Sequence, residues 1–367
     1  MTSRRARALS SVFSAVCGVV LALVAPLAPG AAAEPTPPPA SVRPTEVCQV
    51  RDPRVAELSG LASDGSNWYA VPDGGSQIQI FVLARDCAVR RVITAPVDPY
   101  DVEDMARAAD GTFWLADTGD NRRQRETVAL HAVSPNGRAV LHRLTYPDGP
   151  HDAEALLLDR AGVPHLVTKE PLGGSAVYRP AGPLAAPGPT ALEKVATVRL
   201  GPTDTKGGPV AGFGSVLVTG GAVSADGTVV ALRTYTDAYL FSAPDGDVVA
   251  ALGREPVRVP LPDEPQGEAL AFEPDGTLLA GGEFGDRGSS APMRAIPGAT
   301  RLVAPSTPSA SAAGKTPQRD AAPDAASADA SASDDGSGTP WTLKTLGIAG
   351  VAVALVVVVL GRRRRSR

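Results

Sequence analysis

The chain has little of what most metalloenzyme and hydrolase sequences rely on. It holds three cysteines, four histidines and 4% aromatic residues in 367. One cysteine, Cys17, lies in the N-terminal apolar run, and the other two are fewer than a thiolate-rich zinc site needs; no H-E-x-x-H, G-x-S-x-G, Walker or dinucleotide glycine pattern occurs, which excludes the common metalloprotease, serine-hydrolase and nucleotide-binding signatures. Lysine is scarce as well: it supplies five of the 35 basic residues. Long apolar runs are confined to the two ends. Between them helical periodicity is missing.

The two apolar runs have different surroundings. Arg4, Arg5 and Arg7 precede an apolar stretch from Val12 to Leu27, and Ala31-Ala32-Ala33 follows as a small-residue cleavage site. That order predicts a signal peptide over residues 1–33 with Glu34 as the mature start. Pro26 and Pro29 argue against a retained helix, and Val16 is too large for a lipoprotein box at Cys17. At the far end, residues 343–361 contain the charge-free stretch Thr345 to Gly361, rich in Val, Leu and Ala, and residues 362–367 form a basic tail with five arginines. A span followed by a basic cluster predicts a single transmembrane helix with the tail in the cytoplasm and the bulk of the chain outside. No L-P-x-T-G precedes it, so the helix itself is the expected anchor.

A Pro-rich lead-in covers residues 34–42, and an Ala/Ser/Pro/Asp stretch covers 305–342. The latter has no apolar periodicity and reads as a disordered stalk. The fold is therefore expected in residues 43–304. Setting aside the nine basic residues of the two ends (Arg4, Arg5, Arg7, Lys344 and the five tail arginines) leaves 26 of the 35 against all 39 acidic ones, a net charge of −13. An acidic ectodomain argues against nucleic acid as a partner and suits cations or basic ligands. Once the signal is removed, Cys48 and Cys87 remain, and in an oxidising compartment they are expected to pair.

Within 43–304, short apolar runs alternate with Asp-Gly and Gly-Gly turns, the pattern of an all-β chain. One unit recurs: Ser59-Gly-Leu-Ala, Glu103-Asp-Met-Ala, Glu154-Ala-Leu-Leu, Thr219-Gly-Gly-Ala and Glu268-Ala-Leu-Ala. Each is followed by a tight turn and a second apolar strand, with spacings of 44, 51, 65 and 49 residues. Repeats of that length predict a single β-propeller, with five blades visible and a sixth not excluded. A Gly/Pro-rich insertion around Gly201 to Gly214 accounts for the long interval. The outer strand of the last blade is open between Thr300 to Val303 and the N-terminal segment near Cys48.

In a propeller the repeated first residues ring one mouth of the channel. Ser59, Glu103, Glu154, Thr219 and Glu268 are expected there, with Asp73, Asp117, Asp120, Asn121, Lys169, Glu170, Arg233 and Glu283 returning to the same side. Carboxylates that converge need compensation. Two forms remain open: Lys169 and Arg233 pair with Glu103, Glu154 or Glu268, or Ca²⁺ takes oxygens from Glu103, Asp117, Asp120, Asn121, Glu154 and Glu268. His151, three residues before Glu154, is the candidate proton carrier together with Glu154. His131, His142 and His165 read as strand residues.

The motifs Val102-Glu-Asp-Met-Ala, Trp114-Leu-Ala-Asp-Thr-Gly-Asp-Asn121, His151-Asp-Ala-Glu-Ala-Leu, Val167-Thr-Lys-Glu and Gln266-Gly-Glu-Ala-Leu together resemble a secreted or membrane-anchored family of actinobacterial β-propellers of unassigned function. The chain is more distantly similar to the esterase-like-phytase and gluconolactonase-type propellers. The resemblance implies the fold and no particular activity, because the Asp-rich clusters of propeller phytases and a complete lactonase metal set are not present. The expected role is an extracytoplasmic binding module for wall material, a protein or a small molecule. The alternative is a Ca²⁺-dependent hydrolase of an ester, lactone or phosphoester. Glycoside hydrolysis by Glu154 and Glu268 ranks third.

Overall fold

The computed structural model describes residues 43–209, 212–284 and 288–303. The expected signal peptide, Pro-rich lead-in, stalk, membrane helix and cytoplasmic tail lie outside the described residues, apart from the boundary. Among the described residues no helix is long and apolar enough to cross a membrane.

The first strand, β1 (Thr45–Val50), finds its partner at the other end of the fold. The next four, β2 (Leu58–Ser63), β3 (Trp68–Pro72), β4 (Ile78–Leu83) and β5 (Val89–Ala95), form one antiparallel sheet in sequence order. The pattern repeats in β6 (Val102–Arg107), β7 (Phe113–Asp117), β8 (Val128–Val133) and β9 (Ala139–Thr145), then in β10 (Ala153–Leu158), β11 (Pro164–Thr168), β12 (Gly174–Pro180) and β13 (Thr190–Arg199). A short parallel bridge at Thr190 and Ala191 joins β13 to β9. The fourth sheet is β14 (Val218–Val223), β15 (Val229–Thr234), β16 (Asp237–Ser242) and β17 (Val257–Pro260), with a five-residue helix, α1 (Val248–Leu252), before its last strand. The fifth is β18 (Gln266–Phe272), β19 (Leu278–Glu283) and β20 (Ala291–Ile296), completed by β1.

These are five four-stranded blades, the architecture of a β-propeller. The first strands β2, β6, β10, β14 and β18 contact one another in a closed ring. Of the two closures left open by the sequence, the N-terminal segment is the one adopted; Ala299–Leu302 forms a 3-10 turn instead. Cys48 on β1 is bonded to Cys87 in the β4–β5 turn, 39 positions along the chain, so the closing strand of blade 5 is tied to blade 1.

The repeated turn explains why the strands fall where they do. In each blade an aspartate side chain accepts a backbone N–H two residues further on: Asp64 from Ser66, Asp110 from Thr112, Asp159 from Ala161, Asp226 from Thr228 and Asp275 from Thr277. This local bond reverses the chain without help from the sheet. Alternate apolar residues then face neighbouring blades, and the core divides into five clusters, one between each adjacent pair of blades.

Candidate functional site

The ring of first residues has a structural cause that the sequence does not display. Pairing of each innermost strand with the second strand skips a single residue, at Ser59, Glu103, Glu154, Thr219 and Glu268 respectively. A bulge at the same position of all five blades turns those side chains out of the ladder. All five are at most 1% exposed. The two hydroxyls tie neighbouring blades together, Ser59 Oγ donating to the Glu103 carbonyl at 2.8 Å and Thr219 Oγ1 to that of Gly267 at 2.8 Å. The three glutamates carry the charge.

Asp152, next to the bulge of blade 3, joins them. Single oxygens of Glu103, Asp152 and Glu154 all lie within 4.8 Å of one another, and all three residues are buried. Lys169, at the end of β11, places Nζ 2.5 Å from Glu154 Oε1 and 5.1 Å from the ring centre of Tyr235. Glu154 Oε2 is buried without a hydrogen-bond partner. Burial pushes the Glu154 carboxyl well above the usual range, and Glu103, Asp152 and Glu268 push it further against the pull of Lys169. Burial disfavours the Lys169 ammonium, but Glu154, Tyr235, Asp152 and Glu268 outweigh it and hold its pKa well above that of an ordinary lysine. Glu103, Asp152 and Glu268 thus act on both members of the Glu154–Lys169 pair.

Asp104, the residue after the blade 2 bulge, reaches across the channel. Its carboxyl accepts the N–H groups of Met105, of Leu156 on β10 at 2.8 Å and of Gly221 on β14 at 3.1 Å. Burial raises its pKa well above the usual range despite those three donors. Three inner strands are thereby pinned to one side chain below the acidic ring.

The loop after β7 surrounds the cluster with backbone rather than carboxylates. The N–H of Asp120 donates to Asp152 Oδ1 at 2.7 Å. Gly119 packs so closely that a Cβ there would lie 2.1 Å from Glu103 Oε1 and 2.3 Å from Asp101 Oδ2. Asp117 is engaged elsewhere, accepting from the N–H groups of Tyr100 and Asp101, from Arg125 and from His131. Burial opposes its ionisation, but His131, Arg125 and the backbone donors hold its pKa at about 2. The Asp120 carboxylate accepts from the N–H groups of Gln124 and Arg125. Asn121 sits half-buried in the same turn.

The remaining candidates disperse. Arg233, fully buried, is bonded to Glu264 at 2.6 Å and to the carbonyls of Ala269 and Gly281, so it pins blade 4 to blade 5 rather than neutralising the ring. Glu170 is paired with Arg123 at 2.7 Å. Glu283 ends β19 opposite Gln266. His151 Nε2 is bonded to Asp148 at 3.0 Å and to the Tyr178 hydroxyl at 2.9 Å, and its ring packs edge-on against Tyr146. The insertion after β13 is anchored by Thr203 and Thr205, whose hydroxyls donate to Asp237. Asp152, Asp104 and Tyr235 are the members that sequence reasoning missed. Asp152 stood inside the His-Asp-Ala-Glu run, and its adjacency to Glu154 was the available signal.

No family model and no curated protein matches the chain. Solved structures do. A gluconolactonase from Xanthomonas campestris is 13% identical, with 66% of this chain and 73% of that one covered and a TM-score of 0.38. The soluble aldose sugar dehydrogenase of Escherichia coli in its apo-form is 12% identical, with coverage of 69% and 98% and a TM-score of 0.38. A chain of a nidogen/laminin complex is 14% identical, with coverage of 61% and 72% and a TM-score of 0.36. Likenesses this distant carry no argument about activity; the propeller assignment rests on the strand topology.

Proposed function

We propose that the protein is an extracytoplasmic binding module whose site is the acidic channel mouth, and that its ligand presents positive charge there. The observation that carries this reading is the cluster at the axis. Oxygens of the buried Glu103, Asp152 and Glu154 converge within 4.8 Å of one another, and Glu154 Oε2 is buried with no hydrogen-bond partner. Buried like charges are costly unless a counter-charge joins them, and a bound cationic group supplies it. The net charge of −13 left when the basic residues of the two ends are set aside draws such a ligand toward the mouth. The basic n-region and A-x-A site, and the charge-free stretch with its arginine tail, support export and a single C-terminal anchor, with the propeller held outside by the 305–342 stalk. Wall material and extracytoplasmic proteins are then the accessible partners. The test is co-sedimentation of the full-length protein with purified wall material. A Glu103→Gln/Glu154→Gln/Glu268→Gln variant is expected to lose most of the bound fraction, and equal binding by the variant refutes the site.

The three-carboxylate cluster favours a second reading, a Ca²⁺-dependent hydrolase of an ester, lactone or phosphoester. Glu103, Asp152 and Glu154 present hard oxygen donors at the mutual spacing one ion requires, and the unpartnered Glu154 oxygen fits that use. Bound there, Ca²⁺ would polarise a substrate oxygen or activate water. In this reading Glu103, Asp152 and Glu154 hold the ion, while Lys169 orients Glu154 from the opposite side. His151, bonded to Asp148 and Tyr178, or Glu154 would move protons. EDTA-sensitive turnover in an ester, lactone and phosphoester screen is the expected result, and no turnover on any of them removes this reading.

A further inference from the structure

The mouth already holds a cation of its own. Lys169 follows β11, and its ammonium reaches back across the hairpin to Glu154 Oε1 at 2.5 Å. The contact is buried on both sides, with 7% of the lysine side chain and 1% of the glutamate exposed. The same ammonium feels Asp152 and Glu268. It therefore stands on ground that an entering cation needs, because the Glu154 carboxylate belongs to the cluster with Glu103 and Asp152.

Glu154 Oε2 is left over, buried with no hydrogen-bond partner. A cation bound there would share one carboxylate with the ammonium, and like charges that close in a buried site repel strongly. A lysine ammonium is a compact charge on a flexible four-carbon stem, so it is the partner able to move. Blade 4 sets where it goes. Tyr235, in the β15–β16 turn and 1% exposed, has its ring centre 5.1 Å from Nζ, and an aromatic face at that range holds an ammonium electrostatically. The ring is held from behind by the insertion after β13. The Tyr235 N–H donates to the Gly214 carbonyl at 3.1 Å, and a Cβ on Gly208 would lie 3.1 Å from that of Tyr235. The neighbouring arginines are committed, Arg233 to Glu264 and two carbonyls, Arg125 to Asp117 and the Gly119 carbonyl.

We propose that Lys169 is an internal competitor for the acidic mouth: its ammonium holds Glu154 in the free protein, and an arriving cation takes that carboxylate while Lys169 withdraws to the Tyr235 ring. The inference rests on the cation-binding reading above and adds what sets its affinity. Isothermal titration calorimetry of the full-length protein in detergent, with CaCl₂ and with spermidine at constant ionic strength, tests it. Lys169→Met should bind at least about tenfold more tightly, because no site is lost to the resident ammonium. Tyr235→Leu keeps the lysine but removes its second seat, and should bind about fivefold or more weakly. In the Lys169→Met background the Tyr235 change should have no effect. Circular dichroism establishes that each variant is folded; if Lys169→Met is not, Tyr235→Leu carries the test. Affinity unchanged in Tyr235→Leu overturns the proposal, since a fixed ammonium would only repel. A Tyr235→Leu loss that persists without Lys169 also overturns it, because the ring would then touch the ligand. Wild-type binding that Lys169→Met leaves unchanged refutes the competitor alone, whereas no binding by either protein refutes the acidic mouth with it.

Discussion

Closure of the ring depends on a strand that buries little. Of β1, Thr45, Glu46 and Val47 are exposed and Val50 alone is fully buried, so the Cys48–Cys87 bond should supply much of what holds blade 5 shut. Removing it with a Cys48→Ser/Cys87→Ser double variant opens a loop of 39 residues. In the chain-entropy treatment that loop is worth about 4 kcal/mol. For a domain of this size each kcal/mol moves the melting temperature by roughly 2–4 °C, so a fall of about 8–15 °C is expected. Calorimetry in non-reducing buffer reads it directly, and the wild type in reductant should melt like the variant. A fall under about 3 °C would mean that the β1–β20 ladder closes the ring unaided, and the reasoning would be wrong.

Arg233→Met should destabilise by about 3–5 kcal/mol, because it strands the buried Glu264 with only Arg294, 3.4 Å away, as a counter-charge; urea unfolding at neutral pH measures this. Gly119→Ala should disrupt the mouth without disturbing the core, since its Cβ would overlap Glu103 and Asp101; loss of the cation response with a melting temperature within a few degrees of wild type is the expected pair of results. Asp117 provides a pH signature. Its folded pKa, about 2, lies below the unfolded value, so its contribution of about 2 kcal/mol is complete above about pH 4 and is lost as pH falls toward 2. Asp117→Asn should flatten the stability profile in that window, and an unchanged acid limb would show that its four donors contribute nothing net.

The repeat was legible because each blade carries its own turn chemistry: an aspartate that caps the turn and a glycine that completes it are visible in a single sequence. The ring column was legible for the same reason. Its geometry was not, since a bulge skips one residue in a pairing and leaves no composition mark on Ser59 or Thr219. Pairings across blades were harder still. Lys169 and Arg233 were both open to pairing with Glu103, Glu154 or Glu268; Lys169 meets Glu154 of its own hairpin, whereas Arg233 meets Glu264, a residue from the connection between β17 and β18. The blade closure depended on β1 and β20, about 250 positions apart, and the sequence could only name the N-terminal segment near Cys48 as one of two candidates for it. Asp117 looked like a cation ligand from its Asp-Thr-Gly-Asp-Asn setting; its oxygens are instead filled by donors from three separate segments.

The central claim is that the buried carboxylates at the channel mouth take up positive charge. Thermal melting of the full-length protein in EDTA, with millimolar Ca²⁺ and with millimolar spermidine tests it most directly. A ligand at about one hundred times its Kd stabilises by about 2.7 kcal/mol, so at least one of the two cations should raise the melting temperature by roughly 5–10 °C, and Glu154→Gln should abolish the rise. No rise with either cation, or a rise that survives Glu154→Gln, contradicts the account.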